Sequence, residues 1–101
     1  MVNIFMSNDI KKAMQLITDG DIDSARIIFL KIIDNDSNNA MALAGIATCH
    51  EVEFNYDESI EFFNLAIIAD KDNFLFYHHL ANVYLKKFEA NIDHESTSSL
   101  V

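Results

Sequence analysis

The chain has no proline and no tryptophan, and among its 101 residues there are only two glycines and one cysteine. Without proline no residue forces a helix to stop, and with so little glycine most of the backbone keeps to ordinary right-handed or extended conformations. The lone Cys49 has no partner for an intrachain disulfide, which makes a reducing, cytoplasmic setting the simpler expectation. Positive charge is also scarce. Seven Lys and Arg stand against 16 Asp and Glu, for a formal net charge of -9. Such a surface repels a phosphate backbone, so nucleic acid is not expected as a ligand. No apolar run comes near the roughly 20 residues that span a bilayer. The opening MVNIFMSNDIKKAM lacks the basic-then-apolar order of an export signal. Neither membrane insertion nor export is expected.

What the chain does have is apolar side chains, which make up 50% of its residues. A chain of this length supports one domain, close to the lower limit at which a single core suffices without disulfides or metal. Small domains have the most surface per residue, so part of this apolar content must stay outside, and a protein partner is implied.

Periodicity divides the chain into five helices. From about Asn3 to Asp19, the apolar Met6, Ile10, Ala13, Met14 and Ile17 recur at helical spacing, with Asn8, Asp9, Lys11, Lys12 and Gln15 opposite. Gly20 suits a left-handed turn, and residues 21–24 offer acceptors to the free amides of a second helix reaching about Asp34. A polar cluster over residues 34–39 then caps a third helix, Ala40 to about Glu53, through Met41, Leu43, Ala44, Ile46 and Ala47. The fourth helix runs from Tyr56 to about Ala69, and a turn over residues 70–73 closes it. The fifth, Phe74 to about Ala90, carries Tyr77, Leu80, Ala81, Tyr84 and Phe88 on one side. Residues 91–101 are polar and aperiodic, so a helical domain over 1–90 and a frayed tail over 91–101 are expected. No strand-like alternation competes, and the short loops make consecutive helices antiparallel in an all-α fold.

These helices repeat. In the fourth, Ser59, Phe63 and Ala66 precede the polar turn, and 34 residues earlier Ala25, Phe29 and Ile32 do the same. Blocks starting at Met6, Ala40 and Phe74 keep this register without insertion. The pattern resembles the tetratricopeptide repeat, W-x2-L-G-x2-Y followed by A-x3-F-x2-A and a closing proline. The second block supplies Leu43, Ile46, Ala47 and His50, then Ser59, Phe63 and Ala66. The third supplies Tyr77, Leu80, Ala81 and Tyr84 and stops after its first helix. The first block departs at Asp9 and Lys12, and Ser37 and Lys71 replace the closing prolines. The resemblance covers about Met6 to Ala90, two and a half repeats, and implies a short right-handed superhelix of antiparallel helix pairs. Small residues (Ala25, Ala47, Ser59, Ala81) would sit where helices approach closely, with Phe29 and Phe63 filling the space between a pair and its neighbour.

By the same resemblance, the first helix of each block lines a concave groove. Its candidate residues here are Ile10, Met14 and Ile17, then Met41, Ala44, Thr48 and Val52, then Leu75, His78 and Asn82; Ser7, Thr18, Glu51, Leu85 and Lys86 fall at the remaining groove positions. Such a groove is mostly apolar, with two adaptable methionines, and suits an amphipathic helix or an apolar extended segment of another protein. The family's best-known alternative use, a basic clamp on an acidic C-terminal tail, is not expected, because the matching positions hold Ile10, Met14, Gly45, Leu75 and His79.

Other chemistries fare worse. Asp19, Asp21 and Asp23 have the spacing that opens a calcium loop, but Ser24 and Leu30 stand where its glycine and bidentate glutamate belong, so they read as helix-capping acids. Cys49, His50, His78 and His79 lack a zinc-ligand spacing. No nucleophile is paired with a base and no glycine-rich phosphate loop exists, so neither enzyme activity nor a metal or cofactor is expected.

The outward faces are more informative. Ile27 and Leu30, and Leu65 and Ile68, form apolar pairs where convex surfaces are usually polar, and Tyr77, Leu80 and Tyr84 would pack on a sixth helix that the chain does not encode. A second chain, in a homodimer or an obligate heterocomplex, is expected to cover at least one of these surfaces. The expected function is therefore a cytoplasmic interaction module, a small chaperone or adaptor. In size, acidity and apolar groove it resembles the repeat-type chaperones of bacterial type III secretion that hold a needle or translocator subunit. The alternative is a self-associating structural protein with no separate ligand.

Overall fold

A computed structural model describes the chain over residues 4–99, with side chains over 8–92. The described residues form five helices and no strand: α1 (Ile4–Thr18), α2 (Ile22–Asn35), α3 (Ala40–Val52), α4 (Tyr56–Ala69) and α5 (Phe74–Ser99). Each helix packs on the next, most extensively α3 on α4, and α1 also reaches α3. This layering is that of a helical repeat, in which each pair meets only its neighbours.

The repeat extends to the hydrogen bonds of the turns. After α1, Asp21 N donates to Leu16 O at 2.8 Å and Gly20 N to Ile17 O at 3.0 Å, closing the helix around a left-handed Gly20 (φ 91°). After α3 the same pair of bonds recurs 34 residues on: Asn55 N to His50 O at 2.8 Å and Phe54 N to Glu51 O at 3.0 Å. There the left-handed position is held by Phe54 (φ 65°), a conformation that costs a bulky residue about 1–2 kcal/mol. The α2 and α4 ends match too, with Asp36 N on Ile32 O at 2.8 Å and Asp70 N on Ala66 O at 2.9 Å. Polar caps start α2 and α3. Asp21 accepts from Ser24 N at 3.2 Å, and Asn39 accepts from Ala42 N at 3.0 Å.

Two linked clusters make the core. Phe29 anchors the first, among Ala13, Ala25, Ile32, Ala42, Ile46 and Cys49. Phe63 anchors the second, with Leu43, Ala44, Ala47, Ala66, Phe76 and Val83. Ala25, Ala47 and Ser59 are fully buried, as close helix approach requires. The Ser59 hydroxyl donates to Ala47 O at 2.8 Å across the α3–α4 contact, which satisfies this buried polar side chain within the core.

The last helix differs from expectation in two ways. It continues to Ser99 instead of ending near Ala90, so residues 91–99 of the expected tail are helical. With no glycine or proline to interrupt it, propagation adds a hydrogen bond for each residue fixed. Residues 100–101 of that tail lie outside the described residues. In addition, Leu80, expected on the outward face beside Tyr77 and Tyr84, turns with Phe76 and Val83 toward α4, and Ala81, expected at a close helix approach, is exposed.

Candidate functional site

An apolar depression crosses the first helices of the three blocks. Met14 of α1 and Met41 of α3 form one rim, and Leu75 of α5 forms the other. Ala44, Gly45 and Thr48 of α3 lie between them, over a floor of Phe63 and Phe76 with His79 and Asn73 at the α5 end. Residues without bulk are essential in this middle strip, because larger ones on α3 would fill the depression. The Thr48 hydroxyl donates to Ala44 O of its own helix at 2.9 Å. That leaves its methyl as the part free to meet a ligand. Met14, Met41 and Leu75 are each more than two-fifths exposed, the state of side chains that can close over an apolar guest.

Five of the candidate groove residues, Met14, Met41, Ala44, Thr48 and Leu75, thus share this depression. The other five do not line it. Ile10 and Ile17 turn into the Phe29 cluster, where they are partly buried. Val52 is exposed at the end of α3. His78 and Asn82 are exposed on α5 and pair with each other at 3.3 Å. His79, which holds the register position of Gly45, enters the depression, and His78 does not. Among the remaining groove positions, Ser7 lies outside the described side chains.

Ion pairs brace the helices around the depression. Lys86 of α5 bonds Glu51 of α3, and Lys87 of α5 bonds Asp57 of α4 at 2.6 Å. The hydrogen bond to Glu51 holds the Lys86 ammonium above its usual range, and the Asp57 carboxylate does the same for Lys87. Arg26 of α2 joins Asp23 and Glu53, tying α2 to the end of α3. None of these charges enters the depression.

The candidate ligating residues are dispersed. Cys49 is fully buried in the Phe29 cluster, and burial pushes its thiol up to about 11, against which the nearby Arg26 pulls it down. His50 stacks on Phe62 with ring centres 5.7 Å apart, and His79 stacks on Phe63 at 5.8 Å. Among the described residues no group of three or more His, Cys, Asp or Glu could hold a metal ion. None of the described helices is long and apolar enough to cross a membrane.

The candidate outer surfaces are open. Ile27 and Leu30 are about half exposed and border a shallow hollow with Lys31, Ile33 and Asp34 on α2. Leu65 and Ile68 are exposed on α4. On α5, Tyr77 and Tyr84 are exposed, but Leu80 is partly buried against the Phe63 cluster, so it belongs to the inward face. Phe54, absent from the candidates, stands 76% exposed on its left-handed turn, edge-on to Tyr56 at 6.4 Å. Its signal in the sequence is the glycine 34 residues earlier, which marks the position as left-handed. Comparison with protein-family models finds no match, and comparison with curated proteins finds none either.

Proposed function

We propose that the chain is a protein-interaction module, a small chaperone or adaptor of the tetratricopeptide-repeat kind that holds an apolar segment of another protein. The observation that carries this reading is the depression bounded by Met14, Met41 and Leu75 over Phe63 and Phe76, predominantly apolar and lined by no Asp, Glu, Lys or Arg. Its guest is an amphipathic helix or an extended apolar strand, with any charge it carries at the edge being positive, since the chain's formal charge is -9. A secretion chaperone for a small helical subunit is one specific form of this function.

The test is recovery of tagged protein from its native host, as wild type and as the Met14→Glu and Met41→Glu variants. Each variant places a carboxylate against apolar walls without entering either core cluster, so helicity by circular dichroism should be unchanged. A partner present in stoichiometric amount with the wild type and absent from both variants is the expected result. A partner retained by both variants would remove the depression as its binding site.

A further inference from the structure

The outward face of α5 presents a second apolar surface, distinct in position and pattern from the depression. Phe74, Tyr77, Ala81, Tyr84 and Phe88 succeed one another at alternating steps of three and four, the spacing of a coiled-coil seam. Leu85 and Ile92 widen the strip, and no charged residue falls on it between Phe74 and Ile92. Every one of these side chains is exposed, from 42% at Ile92 to 81% at Phe74. The positions that match Tyr77 and Ala81 one block earlier, Leu43 and Ala47, are buried with Phe63 and Ala66 of α4. The α5 strip is therefore the place where the array would carry its next helix.

We infer that a second copy of this chain covers it, the two α5 helices packing antiparallel as a two-helix seam. Three observations select this occupant. First, the strip is self-complementary: with Tyr84 and Leu85 at the dyad, the small Ala81 of one copy lies opposite the large Phe88 of the other, and Tyr77 opposite Ile92. Second, the four aromatic and two large aliphatic side chains of the strip are about half exposed. They leave on the order of 600 Å² per chain, so that a pair buries roughly 1,200 Å², the lower bound of a specific interface. Third, the antiparallel arrangement places the bodies, each with a formal charge of -9, at opposite ends of the seam, whereas a parallel one would set them side by side. Consecutive helices of this fold run antiparallel, so the partner's α5 takes the direction that a sixth helix would have.

Sedimentation equilibrium of the full chain tests the proposal. The wild type should sediment as a particle of twice 11.5 kDa, and Tyr84→Glu and Phe88→Glu should each return it to the monomer mass with unchanged helicity, since both residues point away from the body. Met41→Glu, in the depression, should leave the dimer intact, so loss of the groove function and loss of the dimer are separable. In a Cys49→Ala background, Leu85→Cys should cross-link two copies on oxidation and Phe88→Cys should not, because antiparallel pairing separates the two Phe88 positions. A wild type that stays monomeric at every concentration overturns the proposal, as does a dimer broken by Ile27→Glu but not by Phe88→Glu. A Phe88→Cys cross-link without a Leu85→Cys one overturns the antiparallel arrangement.

Discussion

Replacing Gly45 by alanine should destabilise the protein, against the usual sign of that change in a helix. In an ordinary helix interior Gly→Ala is worth about 1 kcal/mol of stability. Here an added Cβ would lie 2.3 Å from both Cε1 and Cζ of Phe29, where carbon atoms in contact normally sit about 3.5–4.0 Å apart. The ring would have to retreat by more than about 1 Å in a close-packed interior. It is fully buried, hemmed by Ala13, Ala25, Ile32, Ala42, Ile46 and Cys49, and has no solvent side to swing toward. With two ring atoms this close and no room to yield, the cost falls in the upper half of the range for overpacking, about 2–3 kcal/mol, which exceeds the propensity gain and leaves a net loss of about 1–2 kcal/mol. For a domain of this size that corresponds to a fall of roughly 5–15 °C in melting temperature. Thermal and urea unfolding followed by far-ultraviolet circular dichroism would measure it. A second arm identifies the cause: Phe29→Leu vacates space at the ring tip, so the double variant should be less destabilised than the sum of the singles, by about 1 kcal/mol. A raised melting temperature for Gly45→Ala, or strict additivity of the two changes, would refute the close approach of α2 and α3 at this point.

Further outcomes rest on the core and on Cys49. Phe63→Ala should lower stability by about 3–5 kcal/mol, because the fully buried ring joins α4 to both α3 and α5 and its removal opens a cavity between repeats; an unchanged urea midpoint would mean the ring does not link them. The buried Cys49 thiol, raised from 9.0 to about 11, binds its proton more tightly in the folded state than in the unfolded one. Its contribution is therefore complete below pH 9 and is lost as pH rises through 11, where roughly 2 kcal/mol should have gone. Loss of the Lys86–Glu51 attraction adds to the same alkaline decline, since the Lys86 pKa is also raised on folding. Cys49→Ala should flatten the curve between pH 9 and 11, and an equally steep decline in that variant would assign it to other groups.

The helix count and most helix ends were legible because they rest on local signals. Gly20, the Asp21 cap and the Asn39 cap act within one turn of the chain, and all lie where those residues' own chemistry puts them. The core of α3 was harder. Residues 42–47 of that helix are all buried, so apolar periodicity alone could not tell one face from another. The fixed 34-residue register did, placing Ala47 against Ser59 and Phe63 beyond it. Half of the groove went the other way. Ile10 and Ile17 lie on the groove side by register, yet the first block needs apolar cover for Phe29 and draws them inward. His79 was weighed as a clamp position and as a zinc ligand but not as a groove residue, although it holds the register position of Gly45, which lies against Phe29 as His79 lies against Phe63.

At the end of the array the same register meets a different neighbour. Ala47 and Ala81 are the same residue type at the same position of successive blocks, yet Ala47 is fully buried and Ala81 is exposed. The difference lies in the neighbouring element: α4 packs over Ala47, whereas no helix among the described residues covers Ala81. α5 buries Phe76, Leu80 and Val83 against Phe63 of α4 as α3 buries Ala42, Ile46 and Cys49 against Phe29 of α2, and leaves its outer face to solvent. Both faces are apolar, so the sequence of α5 is compatible with two neighbours at once. An interior helix of an array requires that property. On a face that meets only water, exposed aromatics such as Phe74, Tyr84 and Phe88 add no stability to the monomer and favour association. The apolar outer face of α5 is thus the observation on which the proposed dimer chiefly rests.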